Sequence, residues 1–303
     1  MISPARWHAG EVALQRTVGA DIQFAGLAGR IFRPLMAEPQ RAFFEHLGFV
    51  IVGTVDQEKR VWATVVAGAP GFIHSPDPAT LRLDAVLPSD DPATPGFDVG
   101  GAVALLGIDF GGRRRFRLNG KVVQRDDGHI SIGAEQVFGN CPKYIHPRHY
   151  LGLDDARTPS AVATERMSGL DAEARELIAQ ADTFFVASYV DLDAGNRQVD
   201  VSHRGGPRGF VRVEADGSLS IPDFSGNSFF NTLGNLAINP MAGLVFIDFK
   251  SGDLLQLSGD TAIVLDSPDI ARFEGAERLW RFHPRAIVRR RAAWLAGWAD
   301  AAP

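Results

Sequence analysis

Between Val199 and Phe249 the chain carries, close together, side chains able to hold an anion. Ser202, His203 and Arg204 end a stretch in which Val199 and Val201 alternate with Asp200 and Ser202, the period of a strand with one buried face. Arg204 to Gly209 then reads RGGPRG, turn chemistry that adds a second cation, Arg208. Further on, Pro222, Asp223 and Phe224 follow the start of another strand. From Asn227 to Asn239 the residues Phe230, Leu233, Leu236 and Ala237 recur at helical spacing, with Asn231, Thr232 and Asn235 on the opposite face and Pro240 as the stop. A helix start offers unpaired N–H groups to an anion, so this arrangement suits a phosphorylated planar ligand. Hydroxyls, amides and glycine also make ordinary turns, and a polar barrel surface is the competing reading of the same residues.

The elements that must position these groups are strands. Phe210 to Val213 predicts a strand ending in an Ala-Asp-Gly hairpin, Leu219 to Ile221 begins the next, and Met241 to Phe249 is strongly apolar. Earlier, Trp7 to Phe32 predicts a helix and a loop, and Pro39 to Leu47 a helix leading into a strand from Phe49 to Val55. Landmarks then recur. FVIVGTVD at Phe49 parallels FFVASYVD at Phe184, Pro70 to Ile73 parallels Arg208 to Val211, and GIDF at Gly107 parallels FIDF at Phe246. Asp109 to Asp248 and Gly120 to Gly259 are both spaced by 139 residues, which argues for internal duplication. The expected fold is mainly β with flanking helices, two split β-barrels in tandem of the six-stranded type. The domains expected are 1–151 and 169–303, with the boundary in the polar stretch from Gly152 to Ser168. Ser168 is the expected cap of a helix from Asp171 to Asp182. The loop from Pro88 to Gly101 replaces the amide-rich helix in the first copy, and its Asp90 and Asp91 would repel a phosphate. Arg278 to Arg291 predicts a closing strand with a solvated arginine face.

A composition of 45% hydrophobic and 22% charged residues is that of a globular chain, and a net charge of −5 argues against nucleic acid as partner. The single cysteine, Cys141, excludes an intrachain disulfide, and no run approaches the length that spans a bilayer. A cytoplasmic protein is the expectation. The eight histidines are scattered; His146 and His149 flank Pro147 without a carboxylate-rich partner, so no metal site is expected. Neither a Rossmann fingerprint nor a nucleophile elbow occurs.

SHRGGPRGFV, IPDFSGN, FFNTLGNLAINPMAGLVFIDF and FGNCPKYI, at Phe138 to Ile145, resemble the FMN-binding split-barrel proteins related to pyridoxamine 5'-phosphate oxidase. The two-part members, alone or fused to ferredoxin-reductase modules, are the nearer likeness, over about Trp7 to Arg291. The resemblance implies an FMN-dependent oxidoreductase acting on a small molecule, with NAD(P)H or a ferredoxin-reductase-type protein as electron partner, and an internal pseudo-dimer or a homodimer. A flavin- or haem-binding barrel without turnover, or an interaction module that has lost its ligand, is the alternative. It also implies that Ser202, His203 and Arg204 contact flavin and phosphate, that Pro222, Asp223 and Phe224 meet the isoalloxazine and ribityl chain, and that Asn140 and Lys143 lie near the pyrimidine edge. Asn231 and Thr232 stand where the family commonly has a basic pair. This departure assigns the compensating charge to Arg204 and Arg208, with Arg204 the main phosphate contact.

Overall fold

The computed structural model describes residues 7–69, 71–153, 163–192, 196–294 and 296–300. Its first half runs α1 (Ala9–Thr17), α2 (Asp21–Phe24), α3 (Ala28–Ile31), α4 (Glu38–Glu45), β1 (Phe49–Val55), β2 (Val61–Ala67), β3 (Ile73–Asp77), β4 (Thr80–Leu83), β5 (Ala102–Asp109), β6 (Arg114–Asp126), β7 (His129–Gly139) and β8 (Arg148–Leu153). The second half runs β9 (Thr164–Met167), α5 (Ala172–Gln180), β10 (Thr183–Asp191), β11 (Arg197–Gly205), β12 (Arg212–Val213), β13 (Leu219–Phe224), α6 (Asn231–Ile238), β14 (Met241–Ile247), β15 (Leu254–Val264), β16 (Ala276–Arg290) and β17 (Ala296–Asp300).

The two halves repeat one topology. The first sheet is ordered β2-β1-β5-β6-β7-β4-β3 and the second β11-β10-β14-β15-β16-β13-β12, the same path strand for strand, with β9 added on β16. Every pairing is antiparallel. Each path has seven strands where six are expected, and neither sheet closes on itself. The sheets even share a bulge, between Asn119 and Gly120 on β6 and between Ser258 and Gly259 on β15. One landmark needs correcting. Val52 pairs with Leu105 and Val186 with Leu244, so Val186 is the counterpart of Val52 and Phe49 matches Thr183, not Phe184. A one-residue slip moves a side chain to the other face of a strand. Phe49 accordingly lies between the sheets, whereas Phe184 lies in the second half's own core.

Strand β1 is buried at all seven positions because it faces two cores. Val50 and Val52 point into the first half with Phe43 and Phe44 of α4; Phe49 and Ile51 enter a layer shared with Phe185, Ala187, Val199 and Val201 of the second. The contacts are reciprocal, β5 against β11 and β2 against β14. Gly243 permits this approach, since a Cβ there would run into the carbonyl of Val61. The two-stranded sheet of β8 and β17 covers one end of the shared layer, where Tyr150, Trp294 and Trp298 pack around Phe49.

Helix α1 belongs to the first half by sequence but packs on α6 of the second. A Cβ on Gly234 would lie 2.8 Å from the Glu11 nitrogen, so glycine sets this close crossing. Helix α5 is capped by Asp171, whose carboxylate accepts from the Ala174 N–H at 2.8 Å, rather than by Ser168. The expected helix and loop of 7–32 is three short helices, and the strand expected from Phe210 is confined to Arg212–Val213. Of the expected boundary stretch, residues 154–162 lie outside the described ones, as does Pro70. No helix among the described residues is long and apolar enough to cross a membrane.

Adding a methyl group where two backbones meet forces a shift that costs about 1–3 kcal/mol. Gly243→Ala should therefore lower stability by about that much in urea denaturation, whereas Gly29→Ala, where nothing lies within 4 Å of the added Cβ, should leave the midpoint nearly unchanged.

Candidate functional site

A cavity opens where the end of β11, the β13–α6 loop and the start of α6 face strand β6 and the turn after β7. Ten residues singled out in the sequence line it: Asn140, Lys143, Ser202, His203, Arg204, Pro222, Asp223, Phe224, Asn231 and Thr232. Arg208 does not. It is exposed on the turn beyond β11 and borders a separate depression with Glu173 and Asp182, because the turn carries its side chain away from the strand end.

Three further cations line the cavity, Arg115 and Arg117 of β6 and Arg278 of β16. Arg117 is almost fully buried and held on all sides: Nε donates to Val201 O at 2.8 Å, Nη1 to Asn231 Oδ1 at 3.3 Å and Nη2 to the Ser202 hydroxyl, with Asp200 at 3.5 Å. Burial, and after it Arg204, pulls its proton affinity down, against the attraction of Asp200. Arg115 donates to His203 Nδ1 at 3.0 Å and to the Cys141 carbonyl. Its Nε is buried with no hydrogen-bond partner among the described residues. Burial, then the neighbouring Arg117 and Arg204, pushes its pKa down to about 9. Because Arg115 donates to Nδ1, a neutral His203 carries its proton on Nε2, itself buried and unpartnered among the described residues. Burial, followed by Arg115, holds His203 neutral, far below the usual imidazole range.

Arg204 and Arg278 share one carboxylate, donating to the two oxygens of Asp223 at 3.1 and 3.0 Å, and Arg278 also reaches Glu277 at 2.6 Å. The expected solvated arginine face holds for Arg281 and Arg285, which are exposed, and is corrected for Arg278, Arg289 and Arg290, which are buried. Five cationic side chains thus line the cavity against two carboxylates, Asp223 and Glu277, with Asp200 as a third behind Arg117. Positive charge is in excess by two.

The helix starts later than its spacing suggests. Ser228 and Phe230 take left-handed backbone, with φ of 57° and 60°, so α6 begins at Asn231, with Phe230 as its cap. Its polar face is buried rather than solvated. Thr232 donates to Ser202 at 2.8 Å and Asn235 to Ser188 at 3.0 Å, while Asn231 donates to Glu11 of α1 at 2.7 Å. Asn231 is therefore spent on Arg117 and Glu11, which leaves the α6 backbone N–H groups and the arginines to meet a ligand. At the mouth Tyr144, also left-handed at φ 66°, donates its hydroxyl to Ser225 O at 3.0 Å and packs on Phe224. The free volume is about 110 Å³, below the ~300 Å³ at which drug-sized pockets begin. An anionic end group fits inside; a three-ring system must occupy the open mouth or displace Tyr144.

No protein-family model and no curated protein matches the sequence. Among solved structures, a candidate pyridoxamine 5'-phosphate oxidase from Lactobacillus delbrueckii is similar at 17% identity and TM-score 0.28, over 35% of this chain and 95% of its own. The haem storage protein HutZ from Vibrio cholerae aligns at 16% identity and TM-score 0.28, over 41% of this chain and 95% of its own. An FAD-binding protein from Mycobacterium smegmatis aligns at 16% and 0.28, over 43% and 98%.

Burial lifts the Glu11 carboxyl to about 8 and holds the His8 imidazole down to about 4. Unfolded, Glu11 ionises in the ordinary carboxyl range, so between that range and pH 8 the folded chain keeps an extra proton. Its contribution to stability is full in acid and is lost as pH rises towards 8. Glu11→Gln cannot ionise, so the stability difference, wild type minus variant, should shrink from pH 5 to 8 in urea melts; a constant difference would contradict this.

Proposed function

We propose that this chain is an FMN-binding oxidoreductase of the split-barrel type, holding one flavin with its phosphate against Arg115, Arg117, Ser202 and the start of α6. The observation that carries the reading is the charge excess of two in a cavity with a nearly dry floor, which matches a phosphomonoester dianion. The unpartnered Arg115 Nε supports it, since a buried donor left without a partner is costly and a bound anion would satisfy it. Arg204, expected from the sequence to be the main contact, is already paired with Asp223 and has the smaller role.

When bound, the flavin supplies the redox chemistry. The residues bind and orient it: Arg117 fixes the anion's depth because its own place is set by Val201 and Asn231, while Arg115 adds charge beside it. His203, kept neutral, can present Nε2–H without adding a further positive charge. Asn140 and Lys143 lie across the cavity from α6, where Lys143 would stabilise negative charge on the reduced ring.

The absorbance of the purified protein decides first between a flavin and a Soret band. Apo-protein is then titrated with FMN and followed by flavin fluorescence. Arg115→Gln should weaken binding about 10- to 100-fold, the loss of one charge-assisted hydrogen bond. Arg114→Gln, exposed and paired with Asp109, should stay within about twofold, as rim charges do. Equal effects, or a protein that takes up no FMN, would end the reading.

A further inference from the structure

Duplication creates a second version of the site, where β2 of the first half meets β15 and β16 of the second. Gln256 on β15 stands 139 residues after Arg117, the spacing shared by the two bulges. Its amide donates to Ala63 O at 3.0 Å, as Arg117 donates to Val201 O at 2.8 Å. Ala63 and Val201 precede Thr64 and Ser202, which pair with the equivalent Val52 and Val186. Arg290 pairs with Leu254 at the position that Asn140 takes beside Arg115. Hydroxyl, amide and cation are therefore all in place, each half contributing the part that the other supplies in the open cavity.

One group fills the centre of this second constellation. The Asp91 carboxylate accepts from the Thr64 hydroxyl, from Arg290 at 2.7 Å, from Gln256 at 3.0 Å and from the Ala93 N–H at 2.9 Å. Asp91 is 3% exposed and Arg290 1%. A carboxylate with four donors is bound as a ligand anion would be, not held off by repulsion. The expectation that Asp91 repels phosphate is thus replaced: the loop that displaces the amide-rich helix brings its own anion.

We infer that Asp91 occupies, from within the chain, the anion position of the first-half counterpart of the candidate site, so that this pseudo-site is a small-carboxylate site permanently filled by a side chain. It leaves one open anion site per chain and ties the loop of the first half to β15 and β16 of the second.

The test needs no flavin, so it stands or falls apart from the proposed function. Asp91→Ala leaves Arg290 buried without its main partner and keeps the Cβ, so formate replaces what was removed. The variant's Tm should drop by about 5 °C or more, consistent with loss of a buried ion pair. Sodium formate, compared with sodium chloride at equal ionic strength and pH, should recover at least half of the drop, with no effect on wild type. Asp91→Ala/Arg290→Met, with no cation waiting, should not respond. Should Asp91→Ala not fold, refolding yield with and without formate is scored in the same way. A formate effect equal in the single and double variants, or none in the single, would overturn the inference.

Discussion

Burial of four strands, β1, β5, β10 and β14, on both faces is the constraint on which the rest depends. Each presents alternate side chains to its own core and to the layer between the sheets, so the two halves cannot separate without exposing Phe49, Ile51, Leu106, Phe185 and Val245 together. That layer sets the distance between β6 and β11. At that distance Arg117, rooted in one half, bonds the main chain of the other. The site is a product of the interface and not of either barrel alone.

The two crossings of this interface have been resolved electrostatically in opposite ways. Burying a guanidinium is costly unless it is paired. At Arg290 the charge is paired internally, with Asp91 at 2.7 Å and Asp90 at 3.5 Å, although its Nε has no hydrogen-bond partner among the described residues. At Arg115 no carboxylate pairs with it among the described residues, while Arg204 and Arg278 share Asp223 and only Arg278 has a second carboxylate, Glu277. The same duplicated frame therefore gives one neutralised crossing and one with surplus positive charge, the crossing proposed to take a ligand. Left-handed Tyr144, Ser228 and Phe230 all lie on the wall of the second, where strained backbone is expected at a ligand clamp.

Much of this was legible because it is local. The strand runs, the hairpin at Ala215 to Gly217 and the 139-residue spacing appear directly as periodicity, and most of the second half's share of the cavity, all but Glu277 and Arg278, sits on one stretch. What lay hidden is non-local. Arg115 and Arg117 share one face of β6 by simple alternation, a signal that was available, but nothing near them in sequence says that this face meets β11. Arg208 was expected to add charge beside Arg204 because a turn hides which way it sends a side chain. The start of α6 was misplaced by four residues because a left-handed Phe230 leaves no helical mark in the sequence. The phase of β1 against β10 was misread by one because both strands are apolar on both faces, which erases the alternation that normally fixes register.

The central claim is that an anionic end group is held where the halves meet, once per chain. Isothermal titration of apo-protein with FMN and with riboflavin, which differ only by the phosphate, tests it most directly. The account predicts FMN at least about 100-fold tighter, the value of two charge-assisted hydrogen bonds, saturating at one per chain. Equal affinity for the two, or two FMN per chain, would contradict it.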